Sequence, residues 1–267
     1  MPRSAPRKHV RAVVLRTAGT NCDVETAYAL EKAGATAERV HINRLIEKPK
    51  RLDRYHVLAL PGGFSYGDDV ASGKLLANEL RCLLDESLRA FVADGKLIVG
   101  ICNGFQVLVK SGLLPGLRKN KVETTLTYND SNRFEDRWVY LKAEETNCAF
   151  VRPGEDMTLP VAHGEGKFVA DAGTLDELEC RGQVVVRYVS ADGETGAGYP
   201  WNPNGSLRDI AGICDPTGRI FGLMPHPERH VEPTQHPQWT RNGTAAEGDG
   251  LAVFRNAVEF ARANVLS

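Results

Sequence analysis

The apolar pattern of this chain turns on the stretch Lys96–Pro115, KLIVGICNGFQVLVKSGLLP. Leu97, Ile98, Val99 and Ile101 read as a buried strand, and after the Asn103-Gly104 turn signal Phe105, Val107 and Leu108 recur at helical spacing. Cys102 therefore falls on a strand-to-helix elbow. Upstream, Val10–Leu15 reads as a strand, Thr17–Asn21 as a small-residue loop, and Val24, Ala27, Tyr28, Leu30 and Ala33 as a helix closed by Gly34, the opening of a parallel α/β sheet. Ala37–Ile42 and Tyr55–Leu60 are the next two strands. Leu75–Val92 carries Leu76, Leu80, Leu83, Leu84, Leu88 and Phe91 at the intervals of one covering helix.

Beyond Pro115 the pattern shifts to short strands at Glu123–Leu126 and Arg137–Leu141, then to VRPGEDMTLPVAHGEGKFVA, which holds more turns than helix. Val184–Val189 and the two halves of Ile210–Met224, split at Asp215-Pro216-Thr217-Gly218, are further strands. A terminal helix spans Leu251–Ala263. With no internal repeat and no composition break, residues 1–267 are expected to form a single α/β domain, its mostly parallel sheet flanked by helices.

Composition narrows the class. A chain of 267 residues with 42% hydrophobic and 25% charged residues has ample material for a core. A net charge of -1 gives no electrostatic case for nucleic acid or an acidic membrane surface. The apolar run behind the basic start, MPRSAPRKHVR, is too short for a signal peptide, and no stretch is long enough to span a bilayer. Six cysteines lie far apart without CxxC pairs, which fits a reducing cytoplasm.

The candidate chemistry starts at Cys102. Gly100 and Gly104 flank it, and Gly-x-Cys-x-Gly on an elbow puts a thiol at the positive end of a helix. That position favours the thiolate and aims the following amide, of Asn103, at a developing oxyanion. An isolated cysteine would read as a small buried hydrophobe; the glycines and the strand-helix switch argue otherwise. Pro61-Gly62-Gly63 reaches the same sheet edge, so the Gly63 amide is the expected second oxyanion donor, against the plain reading of a turn. A thiol nucleophile needs a base, and the base an orienting acceptor. Of seven histidines, His226 follows a buried strand and has Glu228 two residues on, across a stiffening proline. A metal site made from His226, Glu228 and His230 is disfavoured, because the prolines prevent the helix that would align the histidines.

Gly-Ile-Cys102-Asn-Gly-Phe-Gln106 and Pro-His226-Pro-Glu228-Arg resemble the class I, or triad, glutamine amidotransferases. The blocks GTNCD, LPGGFSYGDDV, VGICNGFQVL, VAHGEGKF, YPWNPNGS, DIAGICD and MPHPER narrow the resemblance to the glutaminase component of phosphoribosylformylglycinamidine synthase, small-subunit type. The resemblance implies a flavodoxin-like fold and hydrolysis of glutamine to glutamate and ammonia. Cys102 would be the nucleophile, His226 the general acid and base, and Glu228 its orienting carboxylate. The amides of Gly63 and Asn103 would form the oxyanion hole, and Gln106, Arg133 and Phe134 would bind the substrate. No metal and no cofactor is implied in this chain. Ammonia would pass to a synthetase subunit using ATP and Mg²⁺ to convert formylglycinamide ribonucleotide to its amidine, with a third small subunit left open.

The residues agree with a subunit that does half a job, since the chain has no P-loop and no kinase-like glycine loop. Two alternatives stand beside this reading: a cysteine hydrolase of other specificity on the same elbow, and a binding subunit of a synthetase that does no chemistry. The VAHGEG and YPWNPNGS blocks are expected to shape the pocket or dock the synthetase. His163, His230 and the long stretch Val231–Gly250 have no assigned role.

Overall fold

A computed structural model describes residues 9–118, 121–241 and 246–266; the basic start at residues 1–8 and part of the 231–250 stretch lie outside them. Alternating strands and helices open the chain: β1 (Arg11–Arg16), α1 (Asp23–Lys32), β2 (Thr36–His41), α2 (Ile42–Glu47), β3 (Val57–Leu60), α3 (Lys74–Leu83), α4 (Asp85–Ala93), β4 (Leu97–Ile101) and α5 (Asn103–Ser111). The second half is richer in strands: β5 (Thr124–Thr127), β6 (Glu135–Ala143), β7 (Met157–His163), β8 (Lys167–Ala170), α6 (Ala172–Cys180), β9 (Val184–Val189), β10 (Ile210–Cys214), β11 (Ile220–Leu223) and α7 (Leu251–Asn264).

Nine strands form one sheet in the order β2-β1-β3-β4-β11-β10-β9-β6-β7, and β5 pairs with β8 apart from it. The first five are parallel neighbours, giving the 2-1-3-4-5 order of a flavodoxin-like sheet. The other four join by antiparallel pairing, so only β10 and β6 run against the rest. Burial follows the covering layers. Strands β3, β4, β10 and β11 are buried at every residue, whereas β7 alternates buried and half-buried positions.

The carboxyl ends of β1, β3, β4 and β11 lie along one edge, and the loops that leave them carry Cys22, Gly63, Cys102 and His226. Helix α5 presses closely on this edge. A Cβ added at Gly104 would stand 1.9 Å from the Leu60 carbonyl oxygen of β3, so only glycine lets helix and strand cross there.

The helix expected over Leu75–Val92 is two helices. Leu84, at φ -129°, ψ 2°, interrupts it while staying buried, and Asp85 opens the second helix with its carboxylate 2.7 Å from Arg89. Likewise β2 ends at His41, one residue short of expectation, because the His41 imidazole accepts from the Asn43 amide at 3.3 Å and caps α2. The turn-rich segment after β6 proves to hold β7 and β8.

Candidate active site

Cys102 joins β4 to α5 with φ 51° and ψ -105°, a strained conformation for a residue with a side chain. Parallel β11 pins it, since the Cys102 amide donates to the Leu223 carbonyl at 2.8 Å. The residue is 5% exposed, and its thiol donates to the Ala162 carbonyl of β7 at 3.8 Å.

His226 follows β11, and its amide donates to the Pro160 carbonyl of β7 at 2.8 Å. Pro227 starts a single 3₁₀ turn, Pro227–Arg229, which brings the Glu228 carboxylate back to accept from His226 Nδ1 at 2.6 Å. Both side chains are buried. Burial alone would depress the imidazole pKa. The Glu228 carboxylate and then the Cys102 thiol more than offset it, and hold His226 well above its ordinary value. Nε2 of the same ring has no partner in hydrogen-bonding geometry, so Cys102 acts on it as a close polar neighbour and that nitrogen stays open.

At the end of β3, the Gly62 carbonyl accepts from the amides of Cys22 (3.2 Å) and Asn21 (3.4 Å). A trans peptide turns the next N–H, that of Gly63, the opposite way, and among the described residues it has no backbone acceptor. Gly63 holds φ 138°, open only to glycine. Asn103 begins α5, where amides lack intrahelical partners. Its side chain accepts from the Ser65 amide and donates to Asp68 at 3.1 Å and to Gln106 at 3.0 Å.

Gln106 is already engaged: its amide donates to the Glu165 carbonyl at 2.5 Å, tying α5 to the 163–166 loop. Arg133 and Phe134 lie exposed at the turn before β6, where Glu135 pairs with His163. Asn129 anchors that turn. Its amide donates to the carbonyls of Arg133 (2.9 Å) and His163 (2.8 Å), and its oxygen accepts from His163 Nδ1 and the Gly166 amide. Burial, with the His226 charge nearby, pushes the His163 imidazole down to about 3, and its Nε2 is an unpartnered buried nitrogen. A neutral acceptor thus lines the site at any working pH.

His230 lies apart from the pair, with its Nδ1 2.7 Å from the Thr158 carbonyl and its ring edge-on to Trp138. Sequence reasoning gave no role to Cys22, which touches the pair, or to Arg229, which touches Cys22. Cys22 Sγ lies 4.0 Å from His226 Nδ1, and Arg229 donates to that sulfur at 3.2 Å. Both stand in the quoted GTNCD and MPHPER blocks, which were the available signal. Among the described residues, Cys22, His226 and Glu228 are the one group whose possible metal-ligating atoms lie within 4.8 Å of one another.

The arrangement suits nucleophilic attack on a carbonyl carbon: a thiol on a strained elbow, a carboxylate-backed imidazole, and the amides of Gly63 and Asn103 at the same sheet edge. Comparison with known proteins agrees. Residues 9–261 match the family model for the CobB/CobQ-like glutamine amidotransferase domain. A phosphoribosylformylglycinamidine synthase subunit PurQ from Dehalococcoides mccartyi is 52% identical over 95% of this chain and 98% of its own length. The protein of that name from Methanococcus maripaludis strain S2 is 43% identical over 94% and 97%. Among solved structures, a chain of the PurLQS assembly from Thermotoga maritima superposes with TM-score 0.72 at 34% identity, covering 95% of this chain and 99% of that one. The chain belongs to the CobB/CobQ-like glutamine amidotransferase family.

Proposed function

We propose that the chain is the glutaminase subunit of phosphoribosylformylglycinamidine synthase, with residues 1–267 acting as one domain. In this reading His226 takes the thiol proton and Cys102 Sγ attacks the carboxamide carbon of glutamine. The resulting oxyanion rests on the amides of Gly63 and Asn103. Collapse of the tetrahedral adduct expels ammonia, which receives its proton from the His226 imidazolium, and leaves a glutamyl thioester on Cys102. Water, deprotonated by the same imidazole, adds to the thioester and releases glutamate and the thiol. Glu228 keeps Nδ1 protonated, so that Nε2 is the nitrogen that exchanges protons.

The observation that carries the reading is the buried His226–Glu228 contact of 2.6 Å at the sheet edge where the Cys102 elbow emerges. The relatives' shared subunit name supports the partner: a synthetase subunit in the cytoplasm that binds ATP and Mg²⁺ and consumes the ammonia. Gln106, Arg133 and Phe134 form the substrate side of the pocket, Gln106 by holding the Glu165 loop in place. No helix among the described residues is long and apolar enough to cross a membrane.

Ammonia release from glutamine tests this, first with the chain alone and then with the synthetase subunit, ATP and formylglycinamide ribonucleotide. Release that depends on Cys102 and rises with the partner is the expected result. Binding of the partner without any glutamine hydrolysis would instead favour a non-catalytic subunit.

A further inference from the structure

Cys22 ties together two parts of the site that the chain makes separately. Its amide holds the Gly62 carbonyl, and so sets the direction of the Gly63 N–H. Its thiol donates to the Asn21 side-chain oxygen at 3.1 Å, accepts from Arg229 Nη2 at 3.2 Å, and rests 4.0 Å from His226 Nδ1. The Arg229 guanidinium is fixed in turn by Glu25, whose carboxylate accepts from Nε at 2.7 Å. The space is full: a Cβ on Gly62 would meet His226 Cε1 at 2.7 Å and Cys22 Sγ at 3.1 Å.

The same atoms raise the question of a metal, since Cys22, His226 and Glu228 are a plausible soft-cation trio by type. The charges argue against one. A zinc site needs the thiolate, but here the thiol proton is used on Asn21 and a guanidinium already stands against the sulfur. Burial pushes the Cys22 thiol above its ordinary value, which keeps it neutral. Arg229 is the cation of this cluster.

We propose that Cys22 and Arg229 are positioning residues for His226: Arg229, braced by Glu25, holds the Cys22 thiol as a neutral wedge against the Nδ1 edge of the imidazole. Glu228 is then the one strong acceptor for Nδ1–H, and the ring keeps a single tautomer and tilt relative to the Gly62-Gly63 turn. The inference rests on the glutaminase reading above. The charged and titratable groups facing His226 are Glu228 and Arg229 on its own turn, Cys22 and Glu25 from the α1 side, Cys102 from the elbow, and His163 from β7.

The test compares Cys22→Ala, Cys22→Ser and Arg229→Met with the wild type and Cys102→Ala, each in complex with the synthetase subunit. Two readouts are followed across pH: the kcat and KM for glutamine hydrolysis, and the low-field proton resonance of His226 Nδ1–H, which needs no turnover. Cys22→Ala and Arg229→Met should lower kcat about tenfold to a hundredfold, as small misplacements of a catalytic group do, with KM nearly unchanged. In Arg229→Met the loss of a neighbouring positive charge should move the acid limb of kcat to higher pH and shift the resonance. Cys22→Ser should restore most of both, because a hydroxyl still donates to Asn21 and accepts from Arg229. An unmoved acid limb and resonance in Arg229→Met would overturn the proposal, as would an unchanged kcat in Cys22→Ala or a Cys22→Ser protein as impaired as Cys22→Ala. Absence of glutamine hydrolysis in the wild-type complex would refute the glutaminase reading, and hydrolysis that survives Cys102→Ala would remove Cys102 as its nucleophile, while in either case the resonance would still decide the wedge.

Discussion

His226 and Glu228 lie two residues apart, and their side chains meet at 2.6 Å in a pocket that solvent barely reaches. Pro227 makes this possible. Its fixed φ starts a single 3₁₀ turn at the end of β11, and the turn folds the carboxylate back onto the ring that precedes it. An isolated buried carboxylate would be costly, and so would an isolated buried imidazolium; together they neutralise one another. The pair also leaves one imidazole nitrogen, Nε2, without a partner at the edge where Cys102 emerges.

The first prediction concerns turnover. Cys102→Ala should keep the fold and lose at least about 10⁴-fold in glutamine hydrolysis, since no other group replaces the nucleophile. Ammonia assays on the complex, with circular dichroism as the control for folding, check it. Ammonia release near the wild-type rate would remove Cys102 from the chemistry.

Glu228→Gln keeps an oxygen for His226 Nδ1 but removes the charge. The loss in kcat should be smaller, about tenfold to a thousandfold, because nucleophile and base remain. Stability should respond in a definite pH window. His226 sits above its ordinary value of 6.5 when folded, so its contribution is complete below that value and is lost as pH rises through the raised one. Melting curves from about pH 6 to pH 10 should therefore fall for the wild type and be flatter for Glu228→Gln.

His163 gives the opposite sign. Its imidazole is pushed from 6.5 down to about 3 by burial, so below about pH 6.5 the unfolded chain takes up a proton that the folded chain refuses. Between about pH 8 and pH 5 that single group should cost about 2 kcal/mol of stability. His163→Gln should show a correspondingly smaller acid slope in denaturant titrations, and an equal slope would contradict the buried neutral ring.

Asn129 makes two donated and two accepted hydrogen bonds, joining the turn before β6 to the 163–166 loop. Asn129→Ala strands buried partners, each worth about 1–3 kcal/mol, so the variant should be markedly less stable. It should also raise KM more than it lowers kcat, because it loosens the loop that Gln106 holds and leaves the Cys102 elbow alone. Steady-state kinetics below the melting temperature separate the two.

Gly62→Ala offers a local probe. Its methyl group would stand 2.7 Å from His226 Cε1, so the ring must move. Activity should drop sharply and stability should fall by about 1–3 kcal/mol, the usual cost of overpacking, and unchanged kcat below the melting temperature would show that the ring has more freedom than its packing indicates.

Much of this was readable from the chain because its signals are local. The run Leu97–Ile101 followed by Asn103-Gly104 specifies a strand and an elbow within a dozen residues, and His226-Pro227-Glu228 encodes its own turn. Strand alternation in β7 and the short helix α6 were harder, since turn residues and proline break the period there. The Leu84 interruption was invisible for a related reason: the apolar repeat continues through it, and only packing against the sheet tells one helix from two.

Local order along the chain supplies the chemistry on offer: a thiol on an elbow, an imidazole with a carboxylate two residues on, and glycines where backbones must cross. Tertiary structure alone decided which groups attend that chemistry. Cys22 reaches His226 across 204 residues, Arg229 reaches Cys22 across 207, and Asn129 reaches His163 across 34. Such contacts leave no periodic trace, because they depend on the strand order β1-β3-β4-β11 and on β7 lying over His226, not on any neighbour in the chain. Burial then sets the protonation states, raising His226 and lowering His163, because a group's charge depends on what surrounds it in space.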